Sequence, residues 1–135
     1  MDKMYLCTMK TSNLFGKTKA EGWETISTME DLDKIQAASF SKPQIIFKHS
    51  TRCSISSMAK NRMEEGMTQL QTMADVHYLD LLRFRNISDE IETRLNVEHE
   101  SPQVIVLKNG VCIYNESHNM IKVEDLVQQL KKITK

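Results

Sequence analysis

The chain has 135 residues, about the size of one domain, and its 18 basic and 18 acidic residues cancel to a formal net charge of zero. That balance argues against a partner held by bulk charge, so neither nucleic acid nor a membrane surface is expected to bind it. A content of 40% hydrophobic and 27% charged residues, with short apolar runs such as 104–107 and no signal-peptide core in residues 1–7, predicts a soluble globular chain with a cytoplasmic address.

Residues 1–24 are polar, carry Gly16 and Gly22 and keep no sustained period. They read as a flexible N-terminal extension, partly ordered around Leu14, Phe15 and Trp23, with the folded domain over 25–135. Thr28 as a cap, Glu30 and Asp31 in the first turn, and Leu32, Ile35 and Ala38 on one face predict a short helix that ends before Lys42-Pro43. The compact apolar run at 44–49, with two adjacent isoleucines, predicts a central strand buried on both faces.

After a short connection, Ile55, Met58, Ala59, Met63, Met67, Leu70 and Met73 recur at three- and four-residue steps. The spacing predicts one helix over 54–72, weakened but not broken at Gly66, with Met58, Met63, Met67 and Met73 packed in the core. A strand over 76–82 and a helix over 88–95 capped by Ser88 follow, so the two strands are expected to run parallel. Residues 104–107 and 111–114 flank Asn109-Gly110, where both residues tolerate positive φ, and predict a hairpin. Val123, Leu126, Val127, Leu130 and Ile133 mark a final amphipathic helix with Lys131 and Lys132 in its last turn. The order predicts the α/β class: a mixed four-stranded sheet with helices on both faces, arranged as in the thioredoxin-like fold.

Cys7, Cys53 and Cys112 are odd in number and lack metal-ligand spacing, which argues against a disulfide framework or a zinc site; no metal and no cofactor are expected. Cys53 stands out, because it falls where the first strand ends and the long helix begins. Unpaired backbone N–H groups and the positive end of the helix dipole meet there, and such placements typically lower a cysteine pKa from about 8.5 to roughly 3.5–7.5. Lys48, His49 and Arg52 lie within a few residues and add local positive charge, with His49 a candidate for electrostatic tuning. Three residues on, where a dithiol oxidoreductase carries its second cysteine, stands Ser56, so the motif Cys53-Ser54-Ile55-Ser56 is monothiol. Pro102 opens the strand before the hairpin, a place suited to a cis peptide, and in thioredoxin-like folds that loop faces the cysteine. Cys112 reads as core packing, Cys7 as incidental, and His77 and His99 as surface or packing residues.

The segment from Phe47 to Ser56, together with His99-Glu100-Ser101-Pro102-Gln103-Val104 and Ser117-His118, resembles the YtxJ-type monothiol bacilliredoxins, bacterial thioredoxin-fold proteins of low-molecular-weight-thiol metabolism. The resemblance runs from about Trp23 to the C-terminus. Family members often carry Thr-Cys-Pro-Ile, whereas here Arg52 separates Thr51 from Cys53, and Ser54 takes the place of the proline. The resemblance implies removal of bacillithiol, or a similar thiol, from mixed disulfides on protein cysteines. Cys53 would be the nucleophile, and Thr51, Arg52, Ser54, Ile55, Ser56, Ser101 and Pro102 would line the groove. The implied partners are bacillithiolated proteins and bacillithiol, and a monomer is expected. Two other classes remain open on the residues alone: a monothiol glutaredoxin-like iron–sulfur carrier, and a non-catalytic thioredoxin-fold interaction module.

Overall fold

A computed structural model describes residues 19–20 and 22–133. Six strands form one sheet: β1 (Lys19–Ala20), β2 (Trp23–Thr25), β3 (Gln44–His49), β4 (Asp75–Asp80), β5 (Gln103–Lys108) and β6 (Val111–Ser117), in the spatial order β1-β2-β4-β3-β5-β6. The helices are α1 (Met29–Ala38), α2 (Ser54–Glu65), α3 (Met67–Gln71), α4 (Arg85–Leu95) and α5 (Val123–Ile133), with a 3-10 turn at His118–Met120. Strand β3 runs parallel to β4 and antiparallel to β5, and β6 closes the hairpin antiparallel to β5. The architecture is thioredoxin-like, as the sequence predicts, with two strands more than the four expected.

Both additional strands come from the segment assigned to the extension. Residues 1–18 and 21 lie outside the described residues, but Trp23–Thr25 pairs in parallel with β4 and antiparallel with Lys19–Ala20. The boundary drawn at 24/25 therefore cuts through β2. Trp23 explains the placement: it is 1% exposed, stacks on Phe47 at 5.4 Å between centroids and donates its indole N–H to Glu64 Oε2 at 2.8 Å. Burying an aromatic or large aliphatic side chain contributes about 1.5–3 kcal/mol, enough to hold a short edge segment in register.

The alternation of β3 and β5 builds two cores. Ile45, Phe47, Val104 and Val106 face α2, α3 and α5 through Ala59, Met63, Met67, Leu70, Leu126 and Leu130. Ile46, Ile105 and Leu107 face α1 and α4 through Leu32, Ile35, Ile87, Ile91 and Leu95. Every residue of β3 is buried, as its unbroken apolar run predicts for a central strand.

Local signals for α1 and the hairpin hold. Thr28 and Asp31 form a reciprocal capping box on α1. Asn109 and Gly110 take φ values of 56° and 82°, and Ser39 Oγ accepts the Gly110 N–H at 2.8 Å. Three expectations need correction. The helix over 54–72 breaks into α2 and α3 at Gly66, where an added Cβ would lie 2.6 Å from Val123 Cγ1, so α5 packs against bare backbone there. Helix α4 starts at Arg85 rather than behind a Ser88 cap; Ser88 is buried inside its first turns and turns its hydroxyl to His99. Of the four helix methionines, Met63 and Met67 are buried and Met73 packs on the core, while Met58 is exposed.

Candidate active site

Cys53 occupies the N-cap position of α2, immediately beyond the C-terminal end of β3. Its backbone is extended (φ −115°, ψ 121°), its N–H donates to Ser50 O at 3.2 Å, and its carbonyl accepts the Ser57 N–H at 3.1 Å. The thiol is free and half-buried, its sulfur makes no capping bond, and the first turn of α2 contains no acid. The partial positive charge of the helix start is thus not offset by a carboxylate on α2. Around the sulfur-bearing turn, Thr51, Arg52, Ser54 and Ile55 are exposed.

The register of β3 and β5 brings the second loop to the same edge. Lys48 pairs with Gln103, so residues 99–102 leave β5 where residues 50–53 leave β3. The Ser101–Pro102 peptide is cis and Pro102 is buried. Pro102 O accepts the His118 N–H at 3.0 Å, while Arg62 of α2 donates to Ile121 O at 3.0 Å and His118 O at 3.3 Å. The turn at 118–120 therefore clamps the proline loop to the cysteine helix, a part for His118 and Arg62 with no local sequence signal. The Glu100 carboxylate also lies 3.5 Å from His118 Nε2.

Ser56 does not reach the groove assigned to it. The side chain is fully buried, its Oγ accepts the Ser50 N–H at 3.0 Å, and it lies 2.7 Å from His49 Nδ1. A serine hydroxyl has one donor and two acceptor sites, so it bonds Nδ1 under either His49 tautomer while it also accepts the Ser50 N–H. His49 is itself buried, within 5.9 Å of the Phe47 ring and 5.6 Å of the Tyr78 ring. Burial first, then the nearby Lys60 ammonium, pushes its pKa below the usual 6.5. The ring is neutral at pH 7, so its part in the site is a hydrogen bond that fixes the loop rather than a positive charge. Lys48 also departs from expectation: strand alternation turns it to the opposite face, toward α4. Of the three cationic residues near Cys53 in sequence, Arg52 alone remains a charge exposed beside the sulfur-bearing turn.

Cys112 is half-buried on β6, packed against the α1/α4 core, and burial raises its thiol pKa, which fits the packing role. Cys7 lies outside the described residues. Among the described residues, no cluster of three metal-ligating side chains occurs, and no helix is long and apolar enough to cross a membrane.

A family model for monothiol bacilliredoxin BrxC matches residues 24–126. The chain belongs to the monothiol bacilliredoxin family. In structure it is similar to a thioredoxin-fold protein proposed to be an oxidoreductase, with a TM-score of 0.68 and 30% identity over 77% of this chain and 89% of that one. It is similar also to the thioredoxin of Malassezia sympodialis, with a TM-score of 0.64 and 16% identity over 80% of this chain and 87% of that one. Mitochondrial thioredoxin 3 of Saccharomyces cerevisiae gives 0.60 and 14% over 80% and 92%. The two thioredoxins share the fold, and the family places the chain among thiol redox proteins, with Cys53 inside the matched region.

Proposed function

We propose that the chain is a monothiol thiol–disulfide oxidoreductase that removes bacillithiol, or a closely similar low-molecular-weight thiol, from protein mixed disulfides. The observation that carries this reading is a single free cysteine at the N-cap of α2, beside a cis Ser101–Pro102 loop, with a serine locked into the core at the resolving position.

The Cys53 thiolate attacks the bacillithiol sulfur of the mixed disulfide. A Cys53–bacillithiol bond forms, the original S–S bond breaks, and the substrate cysteine leaves as a thiolate that takes a proton from water. Ser56 carries no sulfur, so a second thiol from solution attacks the adduct, releases a bacillithiol disulfide and restores the Cys53 thiolate. Thr51, Arg52, Ser54 and Ile55 flank Cys53 in the exposed turn and would meet the substrate, and the Ser101–Pro102 loop supplies backbone for the substrate chain to pair with. Bacillithiolated proteins and bacillithiol are the partners, no cofactor is required, and the chain works as a monomer in the bacterial cytoplasm.

The test is release of bacillithiol from a bacillithiolated model protein, followed by mass spectrometry with bacillithiol as reductant. Wild type should turn over and accumulate one adduct on Cys53, and Cys53→Ala should be inactive. Full turnover by Cys53→Ala, or equal turnover of the glutathionylated protein, refutes the assignment of nucleophile or of thiol respectively.

A further inference from the structure

On the face of the sheet away from α2, a polar cluster lies beneath the loop that carries Ser101 and Pro102. Lys48 is completely buried, and its Nζ lies 3.1 Å from His99 Nδ1. An ammonium has only donors, so Nδ1 is the acceptor; Ser88 Oγ of α4 lies 3.3 Å from the same nitrogen. The His99 backbone N–H donates to Glu92 Oε2 of α4 at 3.0 Å. Gln103, the cross-strand partner of Lys48, donates its side-chain amide to Glu98 O at 3.0 Å.

This loop does not hold itself. Ser101 Oγ and Gln103 Oε1 are buried without a hydrogen bond, a cost that the rest of the loop must offset. Nor does packing require a lysine in the core, where a hydrocarbon side chain would fill the space without desolvating a charge. The contact of Lys48 with His99 adds a side-chain tie between the strand leading to Cys53 and the loop that flanks it, on the sheet face opposite the clamp at 118–120.

We propose that Lys48 is a positioning residue for the thiol exchange: through His99 it fixes the Ser101–Pro102 loop against the end of β3, so that the loop offers the disulfide a fixed edge. This rests on the oxidoreductase reading above. The charged and titratable groups around the ammonium are Glu92 and Asp89 of α4 and Glu100 and His99 of the loop, and Arg85 of α4 acts on His99. Burial lowers the Lys48 pKa to about 8 against the pull of the three carboxylates. The tie is therefore an ammonium at neutral pH and an uncharged amine above pH 8.

The experiment is hydrogen exchange by mass spectrometry on the full chain without substrate, comparing wild type with Lys48→Met near pH 7. Wild type near pH 9, corrected for intrinsic rates, is a second reading that needs no variant. Protection over 98–104 should fall about ten-fold in Lys48→Met and rise several-fold in wild type at the higher pH, where an opening that solvates Lys48 must also take up a proton, while 50–57 stays unchanged. In turnover of the bacillithiolated protein, Lys48→Met should raise KM about ten-fold with kcat within two-fold. Equal protection of the loop in wild type and variant, or equal loosening of 50–57, overturns the proposal. So does an unchanged KM. A wild-type chain inactive on every mixed disulfide overturns the oxidoreductase reading alone, because the exchange data still decide the anchoring.

Discussion

Lys48 also makes the stability of the fold depend on pH in an unusual sense. Burial takes its pKa from 10.5 to about 8, and the side chain has no exposed surface to soften that shift. Below pH 8 the lysine is charged in both folded and unfolded states, and the folded state bears the net penalty left after Glu92, Asp89 and Glu100 offset part of the desolvation, about 3 kcal/mol. Between pH 8 and 10.5 the unfolded chain still binds the proton and the folded chain has lost it, so stability from this group rises with pH. About 2.5 kcal/mol of the penalty is relieved between pH 7 and 10. Tyr78, Tyr114 and Cys112 have pKa values raised by burial and work in the opposite sense, losing stability as pH rises, but they are common to wild type and Lys48→Met. The expected result is a difference in unfolding free energy, wild type minus variant, that climbs by about 2.5 kcal/mol over that range. Urea unfolding followed by far-ultraviolet circular dichroism at constant ionic strength measures it. A difference that stays flat would mean that Lys48 titrates as a solvated lysine, and the burial argument would fall.

Two further substitutions probe the site and its support. Ser56→Ala strips a partner from His49 Nδ1 and from the Ser50 N–H, each worth about 1–3 kcal/mol when left buried and unpaired, so the melting temperature should drop by roughly 10 °C. A drop of less than a few degrees would show that the hydroxyl does not brace the loop. Gly66→Ala sets a methyl group 2.6 Å from Val123 Cγ1 and should cost about 1–3 kcal/mol by pushing α5 from the α2/α3 junction. Stabilisation there, as helix propensity alone would give, would refute the close packing.

The parts of the fold legible in the sequence are those whose causes are local. Thr28 and Asp31 cap α1 within three residues of each other, Asn109-Gly110 sets its own turn, and the unbroken apolar run of β3 announces burial on both faces. The break at Gly66 was illegible because its cause, Val123, sits on the last helix. Strands β1 and β2 are too short to show alternation, and Trp23 is the one local sign of their place in the sheet. At the site, the position of Cys53 followed from the strand-to-helix junction, and the cis bond occurs at the proline marked for it. Proximity in sequence misled on charge: Lys48 and His49 are neighbours, but the two-residue period of a strand sends one to α4 and the other to Ser56. His99 looked like surface or packing, and its partner only becomes visible once β5 lies beside β3.

Trp23 is the only tryptophan in the chain, and it is in ring contact with Phe47 and with Tyr78, both of which touch His49. His49 is bonded to Ser56, Ser56 to the Ser50 amide, and the Ser50 carbonyl to the Cys53 amide. Strand β2 thereby sets the one indole at the far end of a chain of contacts from the Cys53 sulfur. The expected consequence is that loading Cys53 with a thiol adduct shifts the emission of a residue that the adduct does not touch, which an unlabelled fluorescence titration would read.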